Sequence, residues 1–484
     1  MAFALVVAAA ASVYAFVLFS NVSLSVGGSD SSGYLNVARM LSGGRTSIEL
    51  APLRELGIDR SFRPIFTPIG FTWGIEGTRT MAPGYPPGLP LHLATAAAIG
   101  GWERAPFYLM PVVAVGCGLL MVLLARQLGL SREYAVAGAA ILVLLPQFVT
   151  HALQPVSDVL ATFWALAAIS LALGSERRHS LAFLSGIAFA VGVWVRPTNC
   201  VLVIALVLAV GLRPRLLLRI FAGGLPLGIA LAWYQQITYG SPLKTGYGLP
   251  LDVLTIAGFA TCFRIFATWM LKFSSPIIFP AGLLVVLEPR IALWRRLMLP
   301  AWFVSFFLFY CLWWPYEEWW SLRFLLPGTP ALIFGSLLVL HHLRERAAWR
   351  RTASVVAAVL IGIAVFVPAR QSSRLSAFEA RELESIYPEA VRWTESQLPR
   401  NAIVLSGALS GGFFYYSNRF TARVDQLDDA KFQTLRAYAG NRNLAWYAAL
   451  LDGEAGAADL SERLKGEWTL IGRYRHMSLW RLDS

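Results

Sequence analysis

The chain has 484 residues, 56% of them hydrophobic and only 14% charged, with a mean hydropathy of +0.57, which is too apolar for a soluble globular protein. The net charge of +13 does not point to nucleic acid. Residues 369–484 hold 15 Lys/Arg against 14 Asp/Glu, so nearly all of the excess lies in the hydrophobic part, where short basic loops set membrane topology.

In chain order, the first apolar run is 3–20. It has neither a basic leader nor a clear cleavage site and is expected to remain as the first helix. Further apolar segments fall at 105–126, 134–150, 156–174, 180–195, 197–212, 216–236, 264–288, 297–314, 321–342 and 353–369. The expected fold is therefore an α-helical polytopic membrane protein with about eleven transmembrane helices. Basic loops recur around Arg126, Arg177, Arg213, Arg295 and Arg344, and two apolar segments separate each from the next. All five then lie on one face, the cytoplasmic one, with the N-terminus inside and the C-terminal segment outside a plasma (inner) membrane.

The run 85–100, led by Tyr85-Pro86-Pro87-Gly88-Leu89-Pro90, would break that parity. It has only about 14 usable residues after its prolines, short for a span, and reads as a helix along the outer interface. It belongs to a long external loop, 21–104, inside a membrane domain covering 1–369. Past residue 370 the composition becomes that of a small external α/β domain, 370–484. An amphipathic helix is expected in 371–400, a strand at Ala402–Ser406, a helix near 427–438 and strands near 468–472 and 476–482. Gly411-Gly412 lacks the spacing of a nucleotide loop, and the domain is read as accessory. Cys117, Cys200, Cys262 and Cys311 show no CxxC spacing and read as free thiols.

The residues able to carry chemistry cluster on the outer face. Asp30 sits in the Gly/Ser-rich stretch Gly27-Gly28-Ser29-Asp30-Ser31-Ser32-Gly33-Tyr34 at the mouth of the first span. Asp158 lies one turn into the fourth span, where an ionisable group is costly. Arg196 stands at an external turn, against the positive-inside pattern. Lys244 lies in another external loop, and Arg323 opens the tenth span. Trp313, Trp314, Tyr316, Trp319 and Trp320 read as an interfacial belt. Each residue also has a plain reading: a helix cap for Asp30, a dipole partner for Asp158, topology punctuation for Arg196, a snorkelling side chain for Arg323. Together, cations at a lipid interface suit a phosphate headgroup, and a carboxylate suits deprotonation of a hydroxyl. Phosphate leaves readily, which favours sugar transfer from a lipid phosphate over glycoside hydrolysis. A transporter or flippase of a lipid-linked sugar, or a ligase moving a whole polymer from a lipid carrier, is the competing class. The sequence shows no internal repeat of the kind transporters carry.

The chain also resembles the GT-C superfamily of membrane glycosyltransferases, in particular the branch of protein mannosyltransferases and lipid A aminoarabinose transferases. The resemblance runs through Asp30-Ser31-Ser32-Gly33-Tyr34, Gly84-Tyr85-Pro86-Pro87-Gly88-Leu89-Pro90, Gln154-Pro155-Val156-Ser157-Asp158, Arg196-Pro197-Thr198-Asn199, Tyr239-Gly240-Ser241-Pro242-Leu243 and Arg323-Phe324-Leu325-Leu326-Pro327, in order over residues 1–345. It implies a polyprenyl-phosphate sugar donor used at the outer face with inversion, and a lipid, glycan or protein acceptor. Asp30 matches the family's catalytic acidic residue in the first external loop. Asp158 matches a position that helps hold acceptor, donor or a divalent ion (Mg, Mn or Ca), and Tyr34 and Tyr85 fall in the same supporting motifs. Some relatives carry a lysine where this chain has Tyr85, so donor-phosphate charge is expected from Arg323, Lys244 and Arg196. No metal-ligand cluster is visible.

Overall fold

The computed structural model describes every residue except 1, 250–251, 276, 314–315, 347, 455–459 and 484; Trp314 of the aromatic belt therefore lies outside the described residues. Two compact units emerge, one of residues 1–22, 107–231 and 250–380, the other of 23–106, 232–249 and 381–484, a division that cuts across the linear one at residue 369.

The first unit is helical. Helices occur over each of the eleven predicted segments, but they are not eleven plain rods. Five are long and apolar enough to cross a membrane by themselves: Phe3–Asn21, Ala105–Gln127, Ser157–Gly174, Pro214–Tyr239 and Arg350–Arg374. Three more become candidates if bent pairs count as single spans: Arg132–Val143 with Pro146–Ala152 (69°), Phe259–Phe273 with Ile278–Leu287 (110°), and Trp319–Leu325 with Thr329–Arg346 (81°). Ser180–Val195 is shorter, and the segment after it starts as a 3-10 turn, Pro197–Leu202. Small residues let helices approach closely, as expected where lipid removes the hydrophobic drive between them. A Cβ on Gly186 would lie 1.9 Å from the Ile220 carbonyl oxygen, and one on Gly223 2.0 Å from that of Phe183. The outer surface of the first helix is apolar, with Leu5, Val6, Val13 and Phe16 exposed, as suits a lipid-facing helix. No disulfide forms among Cys117, Cys200, Cys262 and Cys311, all free thiols.

The second unit joins the 23–106 segment to the C-terminal residues through one core. A three-stranded antiparallel sheet orders Ile48–Glu49, Thr80–Pro83 and Phe71–Trp73. A five-stranded mixed sheet orders Thr421–Arg423, Ala402–Ser406, Ala445–Leu451, Met477–Leu482 and Trp468–Tyr474. Ala402–Ser406 is buried along its whole length, as a central parallel strand should be. Val37, Met40 and Phe66 share a cluster with Ile403, Leu405, Phe432 and Trp446, so the loop and the C-terminal sheet bury each other. The single amphipathic helix expected over 371–400 is instead the end of Arg350–Arg374 followed by Ala380–Leu383 and Ile386–Gln397. Gly411-Gly412 has a steric purpose: a Cβ on Gly411 would sit 2.1 Å from Ser32 Oγ, and Asn36 Nδ2 donates to the Gly411 carbonyl (3.0 Å). The C-terminal part thus braces the helix that begins at Asp30.

Candidate active site

Asp30 is the first residue of helix Asp30–Ser42, where a carboxylate complements the helix dipole. The Tyr85 phenol donates to Asp30 Oδ1 at 2.7 Å. That uses its one proton, so Ser29 Oγ, 2.7 Å from the same phenol oxygen, is a donor to it. Burial and the neighbouring Asp30 carboxylate push the Tyr85 phenol well above its ordinary pKa, so it stays a proton donor at any working pH. Tyr85 is clamped: it stacks on Tyr34 with centroids 4.7 Å apart and meets Tyr247 edge-on at 6.2 Å.

Glycines permit this approach. A Cβ on Gly33 would lie 2.5 Å from the Tyr85 ring, and one on Gly70, at φ +88°, 2.2 Å from Gly33 Cα. Gly84 donates to the Gly70 carbonyl (2.9 Å), which fixes the chain entering Tyr85. The loop bearing Lys244 docks on the same segment, with a Gly246 Cβ position 2.4 Å from the Gly84 carbonyl oxygen and Tyr239 donating to the Pro83 carbonyl (2.8 Å). Lys244 itself is exposed. Four of the candidate residues, Asp30, Tyr34, Tyr85 and Lys244, therefore fall in the second unit.

The other three fall in the first. Asp158, 2% exposed in the opening turn of Ser157–Gly174, is held by Arg196 Nη1 at 2.6 Å. Arg323 and His151 lie within electrostatic reach of its charge. The Arg196 and Arg323 guanidinium carbons each stand 5.2 Å from the centre of the Phe324 ring, so two cations share one aromatic face partner. Tyr310 stacks on Phe324 (5.1 Å) and exchanges a hydrogen bond with Thr198 (2.7 Å). Two guanidinium groups around one carboxylate leave a net positive cluster suited to an anion.

Thr198 and Phe324 lay within the motifs that the sequence marks, whereas Tyr310, inside an apolar run, carries no sequence signal. Ser29 could have been found as the residue before a helix-opening Asp. Among the described residues, no group of three His, Cys, Asp or Glu side chains could hold a metal ion.

No family model matches the sequence, and no curated protein matches it either. Solved structures do. The ArnT of Cupriavidus metallidurans bound to undecaprenyl phosphate superposes with a TM-score of 0.58 over 99% of this chain and 98% of that one, at 12% identity. Its apo state gives 0.60 over the same shares. The archaeal oligosaccharyltransferase AglB of Archaeoglobus fulgidus, in complex with an inhibitory peptide and a dolichol-phosphate, gives 0.53 at 12% identity over 99% of this chain and 74% of that one. These likenesses, joined to the ordered motifs, identify the architecture: the chain adopts the fold of the GT-C superfamily of membrane glycosyltransferases.

Proposed function

We propose that the protein is an inverting glycosyltransferase that moves a monosaccharide from a polyprenyl-phosphate donor to a hydroxyl of a cell-envelope acceptor at the outer face of the plasma membrane. The observation that carries this reading is the Tyr85–Asp30 hydrogen bond at the start of helix Asp30–Ser42, a carboxylate aimed by a phenol in a glycine-lined turn. The fold shared with ArnT bound to undecaprenyl phosphate supports the donor class.

The step is a single displacement. Asp30 accepts the proton of the acceptor hydroxyl, whose oxygen bonds to the anomeric carbon as the bond from that carbon to the phosphate oxygen breaks. The bonding pair leaves with the phosphate, and polyprenyl phosphate is released. Arg196 and Arg323, with Lys244, are assigned the charge of the leaving phosphate. Asp158 is assigned to holding Arg196, since its carboxylate already bonds that guanidinium. Asp158, ion-paired to Arg196 among cations, does not fit a ligand of a resident divalent cation, and no step is assigned to one. The N-terminus is assigned to the cytoplasm and the C-terminal residues to the outside.

Purified protein offered a panel of polyprenyl-phosphate monosaccharides with candidate lipid, glycan and protein acceptors should release free polyprenyl phosphate, and Asp30→Asn should abolish release while membrane insertion persists. Near-normal release by that variant refutes the assignment. The likeness to an oligosaccharyltransferase favours a second reading, transfer of a preassembled glycan. Release only from an oligomeric donor would establish it.

A further inference from the structure

We propose that a cavity in the second unit is a docking site for a short, extended segment of another polypeptide, held through its main chain by two free strand edges. The cavity has a volume of about 340 Å³, and both Glu49 and Thr421 line it. Glu49 belongs to Ile48–Glu49, an end strand of the three-stranded sheet. Thr421 belongs to Thr421–Arg423, an end strand of the five-stranded one.

The pairing registers decide which main-chain groups are left over. Leu50 donates to the Arg79 carbonyl (2.9 Å) and Ile48 lies opposite Met81, so these two residues turn their N–H and C=O groups into the sheet. Such groups alternate in direction along a strand, so those of Glu49 point to the open side. In the parallel pair, Val404 donates to the Phe420 carbonyl (3.0 Å) while lying opposite Thr421. Phe420 and Ala422 therefore bond Ala402–Ser406, and the N–H and C=O of Thr421 point away from it. None of these four outward groups bonds a described residue. Two donors and two acceptors, on the edges of different sheets, thus belong to the wall of one cavity. An extended chain supplies the matching alternation of main-chain donors and acceptors along both of its sides.

The side chains set the composition of that segment. Phe66, Met81, Phe414 and Phe420 give the wall an apolar surface. Its charges are already matched: Arg419 bonds Glu395 (2.8 Å) and the Leu398 and Pro399 carbonyls, and Glu49 pairs with Arg54 (3.0 Å). Glu49 Oε1 and the exposed Asn418 amide bond no described residue, which suits polar side chains alternating with apolar ones along the segment. The site does not depend on the glycosyltransferase reading.

The probe is an acetylated valine-threonine-valine-threonine-valine amide, followed by saturation-transfer NMR on the full chain in nanodiscs against empty nanodiscs. It should bind saturably. The same peptide with N-methylated amides keeps its side chains but loses its donors, and should bind at least about tenfold more weakly, the loss of one or two hydrogen bonds. Thr421→Pro deletes an outward N–H, a change that edge strands accept, and should weaken the peptide about as much in a protein that still unfolds cooperatively. Glu49→Pro tests the other edge independently and should weaken binding more than Glu49→Ala, which alters the side chain alone. Asp30→Asn should leave binding unchanged. No saturable binding, equal binding of the N-methylated peptide, or binding kept by both proline variants overturns the proposal. The N-methyl comparison needs only the wild type, so it decides even where neither proline variant folds.

Discussion

Tyr85→Phe isolates the aiming of Asp30 from the packing around it. The phenylalanine ring keeps the stack on Tyr34 and the edge contact with Tyr247, and only the hydroxyl between Ser29 and Asp30 goes. That hydroxyl donates at 2.7 Å to a carboxylate, and a hydrogen bond to a charged group contributes about 1.5–3 kcal/mol. The bond favours the ionised form of Asp30, the form that accepts a proton from the acceptor. Its loss disfavours ionisation, so the acid limb of the kcat/KM profile should move to higher pH by about one to two units. Activity lost at pH 6 should partly return by pH 8. Carbodiimide labelling of Asp30, read by peptide mass spectrometry across the same pH range, follows carboxyl protonation without any donor or acceptor. It should shift in the same direction. A uniformly lower rate with an unmoved limb, and labelling that matches the wild type, would reduce Tyr85 to a packing residue and refute the reasoning.

Three further outcomes are expected. Gly70→Ala places a Cβ 2.2 Å from Gly33 Cα at a φ of +88° and should cost more than about 2 kcal/mol and most of the activity, whereas Gly44→Ala, at φ +69° with no atom within 4 Å, should cost only about 1 kcal/mol, both read by thermal unfolding. Glu384, pushed up to about 7 by burial, binds its proton more tightly folded than unfolded; stability should therefore fall as pH rises from about 4.5 to about 7 and stay lower above. Glu384→Gln should flatten that dependence and raise the melting temperature at pH 8, with a gain of no more than about 3 kcal/mol. A double-mutant cycle on Asp158→Asn and Arg196→Gln should give a coupling of about 1–3 kcal/mol in stability, with Asp158→Asn raising the donor KM more than it lowers kcat; additive effects would mean that the 2.6 Å pair is not a working unit.

The helices were legible because apolar runs of that length have few alternatives, but their bends were not. Proline is the natural suspect, yet Pro111, Pro226, Pro300 and Pro368 all lie inside continuous helices. Where neighbours re-satisfy the backbone, membrane helices tolerate proline, so the residue alone does not say where a span breaks. Pro146 and Pro327 do stand at breaks, and at the second the Trp302 indole donates to the Pro327 carbonyl (2.8 Å), a bond from a residue 25 positions away. In the C-terminal part, Ala402–Ser406 and Met477–Leu482 were legible from their apolar and β-branched composition or alternation. The strand Ala445–Leu451 was not, because three of its seven residues are alanine, and what makes it a strand is pairing on both sides. Nor did the sequence reveal that loop and C-terminal domain share one core, since the cluster that holds both Val37 and Ile403 joins residues hundreds of positions apart.

The Asp158–Arg196 pair marks the boundary of what sequence could yield. Asp158 opens one helix and Arg196 follows the end of the next, and two sequential helices joined by a short turn run antiparallel. Those two positions must then share an end, about one helix diameter of 8–10 Å apart, within reach of an arginine side chain. The parity of the basic loops had already placed both residues on one face, so their pairing was derivable. What no spacing supplied was its consequence. A carboxylate bound to a guanidinium at 2.6 Å and 2% exposed is poorly placed to take a proton from a substrate, whereas Asp30 accepts a hydrogen bond from the Tyr85 phenol. The two acidic residues look alike in sequence, each near the start of a helix. Their partners differ, an arginine paired with one carboxylate and a tyrosine donating to the other, and this difference supports the proposed roles of base for Asp30 and anchor for Asp158.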